Sequence, residues 1–332
     1  MAPAPRFRID SFLLAIVVSA IVATLLPARG VGAVVLGHGV TAGIALLFFL
    51  YGARMHPRET LDGLRHWRLH GVILASTYLM FPLLGLALGF LVPLGILTPA
   101  LYLGLLYTTL LPSTVQSSVT FTSIARGNVA GAVVSASMSN LIGVFLTPLL
   151  VIAVMNTSGQ ASVHPRAVLD IVLQILVPYV LGQLSRRWTA GFVTRHRKPL
   201  KYVDQGIIVL VVYSAFSAGR REQMWREVSA PQVLALVGVC LVILALVLAL
   251  TWWVARRLGF GRADRIAIQF CGSKKSLATG LPMAAVLFAG QPIGLIALPL
   301  MIFHQAQLMA CSALAQRYAR SAPPEREPAP TA

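Results

Sequence analysis

Two adjacent lysines, Lys274 and Lys275, stand in the stretch CGSKKSLATG, Cys271–Gly280, within a segment otherwise apolar enough to cross a bilayer. An ammonium at the bilayer centre costs about 2.5–3.5 kcal/mol even on insertion scales, so the pair calls for a chemical reason. A span beginning near Ile266 carries Lys274 eight residues in. At 1.5 Å per residue that is about 12 Å, near the middle of a hydrocarbon layer about 30 Å thick. Starting the span after Lys275 lets both ammoniums reach the cytoplasm, but it leaves only Ser276–Ala289, too short to cross. Consecutive side chains on a helix point about 100° apart, so a break near Gly272 and Ser273 decides which lysine faces a cavity. Asp10, Asp170, Asp204 and Asp264 fall at span ends, and no carboxylate is placed inside a span. A buried cation without an acidic partner needs serine or carbonyl dipoles, a readily lost proton, or an anion that comes and goes. Ser273 and Ser276 flank the lysines and are candidates for the first of these.

A second polar run, LPSTVQSSVTFTS at Leu111–Ser123, interrupts another apolar segment. Pro112 removes a backbone donor and obstructs the carbonyl one turn back, freeing polar groups that lipid cannot satisfy. Ser113, Thr114, Gln116, Ser117, Ser118, Thr120 and Thr122 follow at once. They either bond within their own bundle, as membrane hydroxyls commonly do, or line a wet cavity and ligate an ion or substrate. In the next segment Gly131, Ser135, Ser139 and Gly143 recur every four residues, a stripe that permits close helix packing. Ser137 and Asn140 lie off that stripe and remain candidates for the cavity. His304, in MIFHQAQLM, makes a polar patch with Gln305 and Gln307 and reads as a hydrogen-bonded structural histidine ahead of a proton carrier. The missing acids argue against a carboxylate proton relay, a metal site and an intramembrane hydrolase. Cys240, Cys271 and Cys311 lie in apolar segments without paired spacing. No cofactor is expected.

The elements that must hold these residues are transmembrane helices. The chain has 332 residues, 57% of them hydrophobic and 11% charged, against about 25% charged in soluble domains. Its net charge of +17 sits in short loops between apolar runs, which excludes the basic face of a nucleic-acid binder. The apolar run Ser11–Leu26, after Arg6 and Arg8, is longer than a signal-peptide core and reads as the first span. Spans follow near 33–53, 70–92, 98–125, 128–155, 166–184, 203–219, 231–255, 264–289 and 291–315, ten in all. Twenty of the 27 Lys and Arg residues fall on one side, five on the other, and Lys274 and Lys275 complete the count. That bias places both termini in the cytoplasm and the loop Arg186–Pro199 against anionic membrane lipids.

Five spans per half is an odd number, so the halves 1–157 and 163–320 enter the membrane in opposite senses, followed by a disordered cytoplasmic tail over 321–332. The interrupted fourth and ninth spans occupy matching places, each before a very short turn, RGN or AGQP. Broken helices at matching places in inverted halves point to a midplane transport site.

CGSKKSLATGLPMAAVLF, LPSTVQSSVTFTSIARGNVAGAVVSASMSN and PLMIFHQAQLM resemble the SBF-like branch of the bile acid:sodium symporter superfamily over nearly the whole chain. The resemblance implies a panel domain of spans 1, 2, 6 and 7, and a core domain of spans 3–5 and 8–10. It also implies that unwound spans 4 and 9 cross, and that organic anions enter with sodium. Where sodium-coupled members resemble a Glu-Val-Gly-Met-Gln-Asn-Ser run, this chain has Phe270, Cys271, Gly272, Ser273, Lys274, Lys275 and Ser276. The acidic ligand becomes Phe270, and a Ser-Asn pair of the fourth span becomes Ser117 and Ser118. The family's sodium ligands are thus not retained, and two ammoniums oppose sodium binding. The expectation is a secondary carrier of a small organic anion in the inner membrane, with one lysine standing where sodium sits in relatives and the other meeting the substrate. Lys275 is assigned to the substrate and Lys274 to the sodium-like place. The competing class is a membrane regulator of ion homeostasis that keeps the fold without transporting.

Overall fold

The computed structural model describes residues 11–54, 66–157, 169–221, 223–226 and 228–321, so the start of the chain and the expected tail beyond Ser321 lie outside the described residues. The regular structure described is entirely helical. Helix α1 is Ser11–Leu25, α2 Gly30–Arg54 and α3 Trp67–Leu91, the last with a π-turn at Ser76–Met80. The fourth span is two helices, α4 Pro99–Leu110 and α5 Gln116–Ile124, followed by α6 Val129–Thr157. A π-turn at Val172–Leu176 leads into α7 Val177–Arg195, then come α8 Arg197–Arg221 and α9 Ala230–Arg257. The ninth span is again two helices, α10 Arg262–Gly272 and α11 Leu277–Leu287, before α12 Ile293–Arg320.

Helix starts follow local chemistry. Thr98 caps α4 by accepting from Leu101 N at 3.3 Å, with Pro99 in the first turn. Gln232 reaches back to accept from Ser229 N at 2.9 Å, opening α9. These contacts occupy donors that a helix start leaves free. Among the described residues six helices are long and apolar enough to cross a membrane: α2, α3, α6, α8, α9 and α12. Large apolar side chains face outward along them, among them Val31, Leu83, Leu149, Leu234 and Val242. This is an all-α polytopic membrane protein.

One expected loop is helix instead. Arg186–Pro199 was expected to connect two spans, yet α7 runs to Arg195, α8 begins at Arg197 and His196 alone separates them. The seventh span therefore exceeds its expected 203–219. Hydropathy marks the apolar part of a helix, whereas Arg, Lys and Trp continue it beyond the bilayer with their heads in water. The Arg187 guanidinium lies 3.7 Å from the Trp188 ring centroid along that extension. Arg54 of α2 pairs with Asp204 of α8 at the same end.

The helices pack in two groups. α1, α2, α7 and α8 lie against one another, and α3–α6 with α9–α12 surround the two broken helices, while α8 also touches α11 and α12. Glycine sets the closest approaches. A methyl on Gly52 would fall 2.1 Å from Tyr179 O, and one on Gly182 2.0 Å from Phe49 O, so α2 and α7 meet backbone to backbone. Across the other group, a methyl on Gly104 would fall 2.3 Å from Ile296 O. Gly182→Ala is therefore expected to destabilise the protein by about 1–3 kcal/mol, the usual cost of overpacking. Gly32→Ala, with nothing within 4 Å, should leave the unfolding midpoint in detergent unchanged.

Candidate functional site

The breaks in the fourth and ninth spans lie against each other. Residues 111–115 leave the helix because Pro112 cannot donate, and Ser273–Ser276 separate α10 from α11. Ser276 N donates to Pro112 O at 2.9 Å, Ser113 Oγ donates to Cys271 O at 2.6 Å and Ser118 Oγ to Phe270 O at 3.3 Å. The end of each half-helix thus supplies partners for the other.

Carbonyls released where α4 ends are taken up in turn. Leu110 O accepts from Thr147 Oγ1 at 3.0 Å, and Ser113 O from Asn140 Nδ2 at 2.7 Å. Thr109 O and Leu111 O both accept from the Lys275 ammonium at 2.7 Å. That ammonium also donates to Thr77 O at 2.8 Å and lies 4.2 Å from the Phe81 ring centroid. Thr77 O is free for a local reason. In the π-turn Phe81 N is drawn to Ser76 O, and the next residue, Pro82, has no N–H to give. Three orphaned carbonyls from two helices therefore converge on one fully buried cation. Gln307 fixes the backbone of that lysine, accepting from Lys275 N at 2.9 Å and donating to Lys275 O at 2.9 Å.

Lys274 points elsewhere. Its Nζ lies 4.1 Å from the Phe121 ring centroid and 5.5 Å from that of Phe270, fully buried and without a hydrogen-bond partner. Cation–π contact compensates an ammonium only in part. Ser273 Oγ, Thr122 Oγ1 and Gln305 Oε1 are likewise buried and unpartnered. Lys275 thus fills a carbonyl cage, whereas Lys274 makes no hydrogen bond.

Of the other expected residues, Thr114 Oγ1 lies 2.5 Å from Ser117 Oγ. Ser276 caps α11 by accepting from Thr279 N at 3.2 Å, and Thr279 Oγ1 donates to Asn140 Oδ1 at 3.1 Å. His304 Nδ1 lies 2.9 Å from Gln307 Nε2, beside the clamp on Lys275. Gly272 is buried with its Cα facing Ser76 and Thr251. Gln116 is exposed, and Ser137 is half-buried and takes no part in this network. Residues not expected at the site are Thr77, Thr109, Tyr78 and Ser139. Tyr78 OH donates to Ser139 O at 2.5 Å, and Ser139 Oγ accepts from Ser113 N at 3.1 Å. The packing stripe of α6 thus also serves the crossing. Among the described residues no cluster of His, Cys, Asp or Glu is suited to a metal.

The chain matches the SBF-like CPA transporter family over residues 10–320. It is 54% identical to protein PA2026 of Pseudomonas aeruginosa, over 95% of each chain. It is 48% identical to Escherichia coli YfeH, which bears a provisional symporter name, over 95% of this chain and 94% of the relative. It is 29% identical to the rat sodium/bile acid cotransporter 7, over 93% and 92% of the two chains.

The two lysines should separate in stability. Lys275→Met strands three buried carbonyls, at about 1–3 kcal/mol for each such group, and should lower the unfolding midpoint sharply. Lys274→Met removes an unpartnered cation and should leave the midpoint unchanged or raised, as thermal unfolding in detergent will read.

Proposed function

We propose a transport function from the premise that this chain belongs to the SBF-like CPA transporter family, as the match over residues 10–320 shows. Its cargo is a small organic anion, a carboxylate or sulfonate of the bile-acid or steroid-conjugate kind, moved across the inner membrane by alternating access. On this reading α4 with α5 and α10 with α11 are single passes, and the ten spans form two inverted five-helix repeats, 1–157 and 163–320, with both termini cytoplasmic. The group α1, α2, α7 and α8 acts as the panel, and the group holding the broken helices acts as the moving core. Relatives named as transporters support this class over an enzyme.

The observation that carries the mechanism is the cage around Lys275. Three converging carbonyls of unwound and π-distorted backbone form the kind of oxygen cluster that coupling cations occupy at broken helices, and here a covalently attached ammonium occupies it. A cation that cannot leave does the structural work of a bound ion without being transported. On this reading sodium does not enter the cage, and coupling to it is in doubt. Lys274 makes no hydrogen bond and meets the Phe121 and Phe270 rings, so on this reading it receives the substrate anion when the core moves.

Uptake into proteoliposomes, screened with anionic steroids, carboxylates and sulfonates, tests this reading. Saturable flux that is unchanged when sodium is replaced by N-methylglucamine is expected. Lys274→Met should weaken substrate binding by roughly 30-fold or more, since loss of a desolvated charge pair costs about 2–5 kcal/mol. An absence of saturable flux for every anion would favour the non-transporting regulator of ion homeostasis. External cysteine labelling at Gln160 but not at Arg195 is expected from the charge bias, and the reverse pattern would overturn the proposed orientation.

A further inference from the structure

Far from both lysines in sequence, the α1–α2 turn and the end of α8 enclose a cavity of about 420 Å³ lined by Pro27, Arg29, Arg220, Arg221, Gln223 and Arg226. On the proposed topology this is the extracytoplasmic end, which holds only five of the 27 Lys and Arg residues. Four of those five line this one cavity. The bias that clears cations from that side would leave stragglers scattered, not gathered on a common concave surface.

The walls are held in place. Arg221 Nη1 donates to Ala28 O at 2.6 Å, Ala28 N donates to Ser217 Oγ at 2.6 Å, and Tyr213 OH donates to Leu26 O at 2.8 Å, so the α1–α2 turn is pinned along α8. On the other side the turn Met224–Arg226 is anchored by Met224, which is buried against Gly219 of α8 and Gly294 of α12. Gln223 within that wall has a φ of 58°, a left-handed conformation that a non-glycine residue adopts at a cost.

Helix ends account for only part of the charge. Arg220 and Arg221 lie in the last turn of α8, where the helix dipole favours cations. Arg29 directly precedes Gly30, the first residue of α2, where the dipole disfavours a cation and favours an anion. Arg226 belongs to neither helix end. Among the described residues no carboxylate lines the cavity; Glu222, between Arg221 and Gln223, and Glu227, next to Arg226, lie outside the described residues.

We infer that this cavity is an oxyanion-binding site, taking a carboxylate, sulfonate or phosphate presented by a solute or by a lipid headgroup. Guanidinium groups suit these planar or tetrahedral oxyanions through paired N–H donors. The site stands without the lysine mechanism and needs the transport reading only to name the face on which it opens.

The test is residue-resolved modification of the purified full chain by phenylglyoxal in phosphatidylcholine nanodiscs, read by peptide mass spectrometry. Inorganic phosphate is compared with chloride at matched ionic strength, and in a parallel arm part of the phosphatidylcholine is replaced by phosphatidylglycerol. Arg29, Arg220 and Arg226 should be modified several-fold more slowly in at least one arm, with Arg197 at the far end of α8 unaffected by phosphate and slowed less than these three by phosphatidylglycerol. Selective protection by phosphate names a solute as the source, and protection by phosphatidylglycerol alone names a headgroup. The Arg29→Gln/Arg226→Gln double variant should lose the protection at Arg220 at an unchanged unfolding midpoint. Equal rates in all four combinations of anion and lipid, or slowing at Arg197 as large as at Arg29, Arg220 and Arg226, would overturn the inference. The wild-type comparison decides the matter even if the variant does not fold.

Discussion

Main-chain oxygens that lose their helical donors inside a bilayer have no water to turn to, and each one left unpaired costs several kcal/mol. This chain creates several of them at one depth, through Pro112 in the fourth span and through the π-turn before Pro82 in the third. The Lys275 ammonium gathers three of these oxygens from two helices. Gln307 holds the lysine's own backbone in place from α12. The cage thereby joins α3, α4, α12 and the break between α10 and α11 through one cation.

That arrangement explains why two neighbouring lysines are tolerated in an apolar bundle. One is satisfied by dipoles alone, so it needs no carboxylate. The other lies against Phe121 and Phe270 and makes no hydrogen bond. The break in the helix between Gly272 and Leu277 is what lets consecutive residues point to such different surroundings. Glycine contacts such as Gly104 on Ile296 bring α4 against α12, so the two breaks are held within rigid packing.

Much of this was legible in the residues themselves. Apolar length marked the helices, Pro112 and Gly272 marked the breaks, and the polar run after Pro112 marked where hydroxyls would meet the second break. Asn140 and Ser113 do meet there. Other features depended on three-dimensional pairing. A π-turn leaves no hydropathy signal, so the release of Thr77 O was hidden, although Pro82 following Ser76 and Thr77 by a turn and a half was its trace. Ser139 sat in a small-residue stripe whose packing role masked its second role as acceptor for Ser113 N. The direction of each lysine depends on the backbone path through residues 273–276, which spacing alone does not specify. The charged helix ends around His196 were taken for a loop because hydropathy reports the bilayer, not the helix.

The claim that Lys275 stands in the place of an ion is tested most directly by emptying its cage. Lys275→Ala leaves the carbonyls of Thr77, Thr109 and Leu111 around a space with no cation. Thermal unfolding of this variant and of the wild type is to be followed as sodium replaces potassium at constant ionic strength. The account predicts a saturable rise in the unfolding midpoint with sodium for Lys275→Ala and a flat response for the wild type. A saturable rise in the wild type, with no response in the variant, would contradict it.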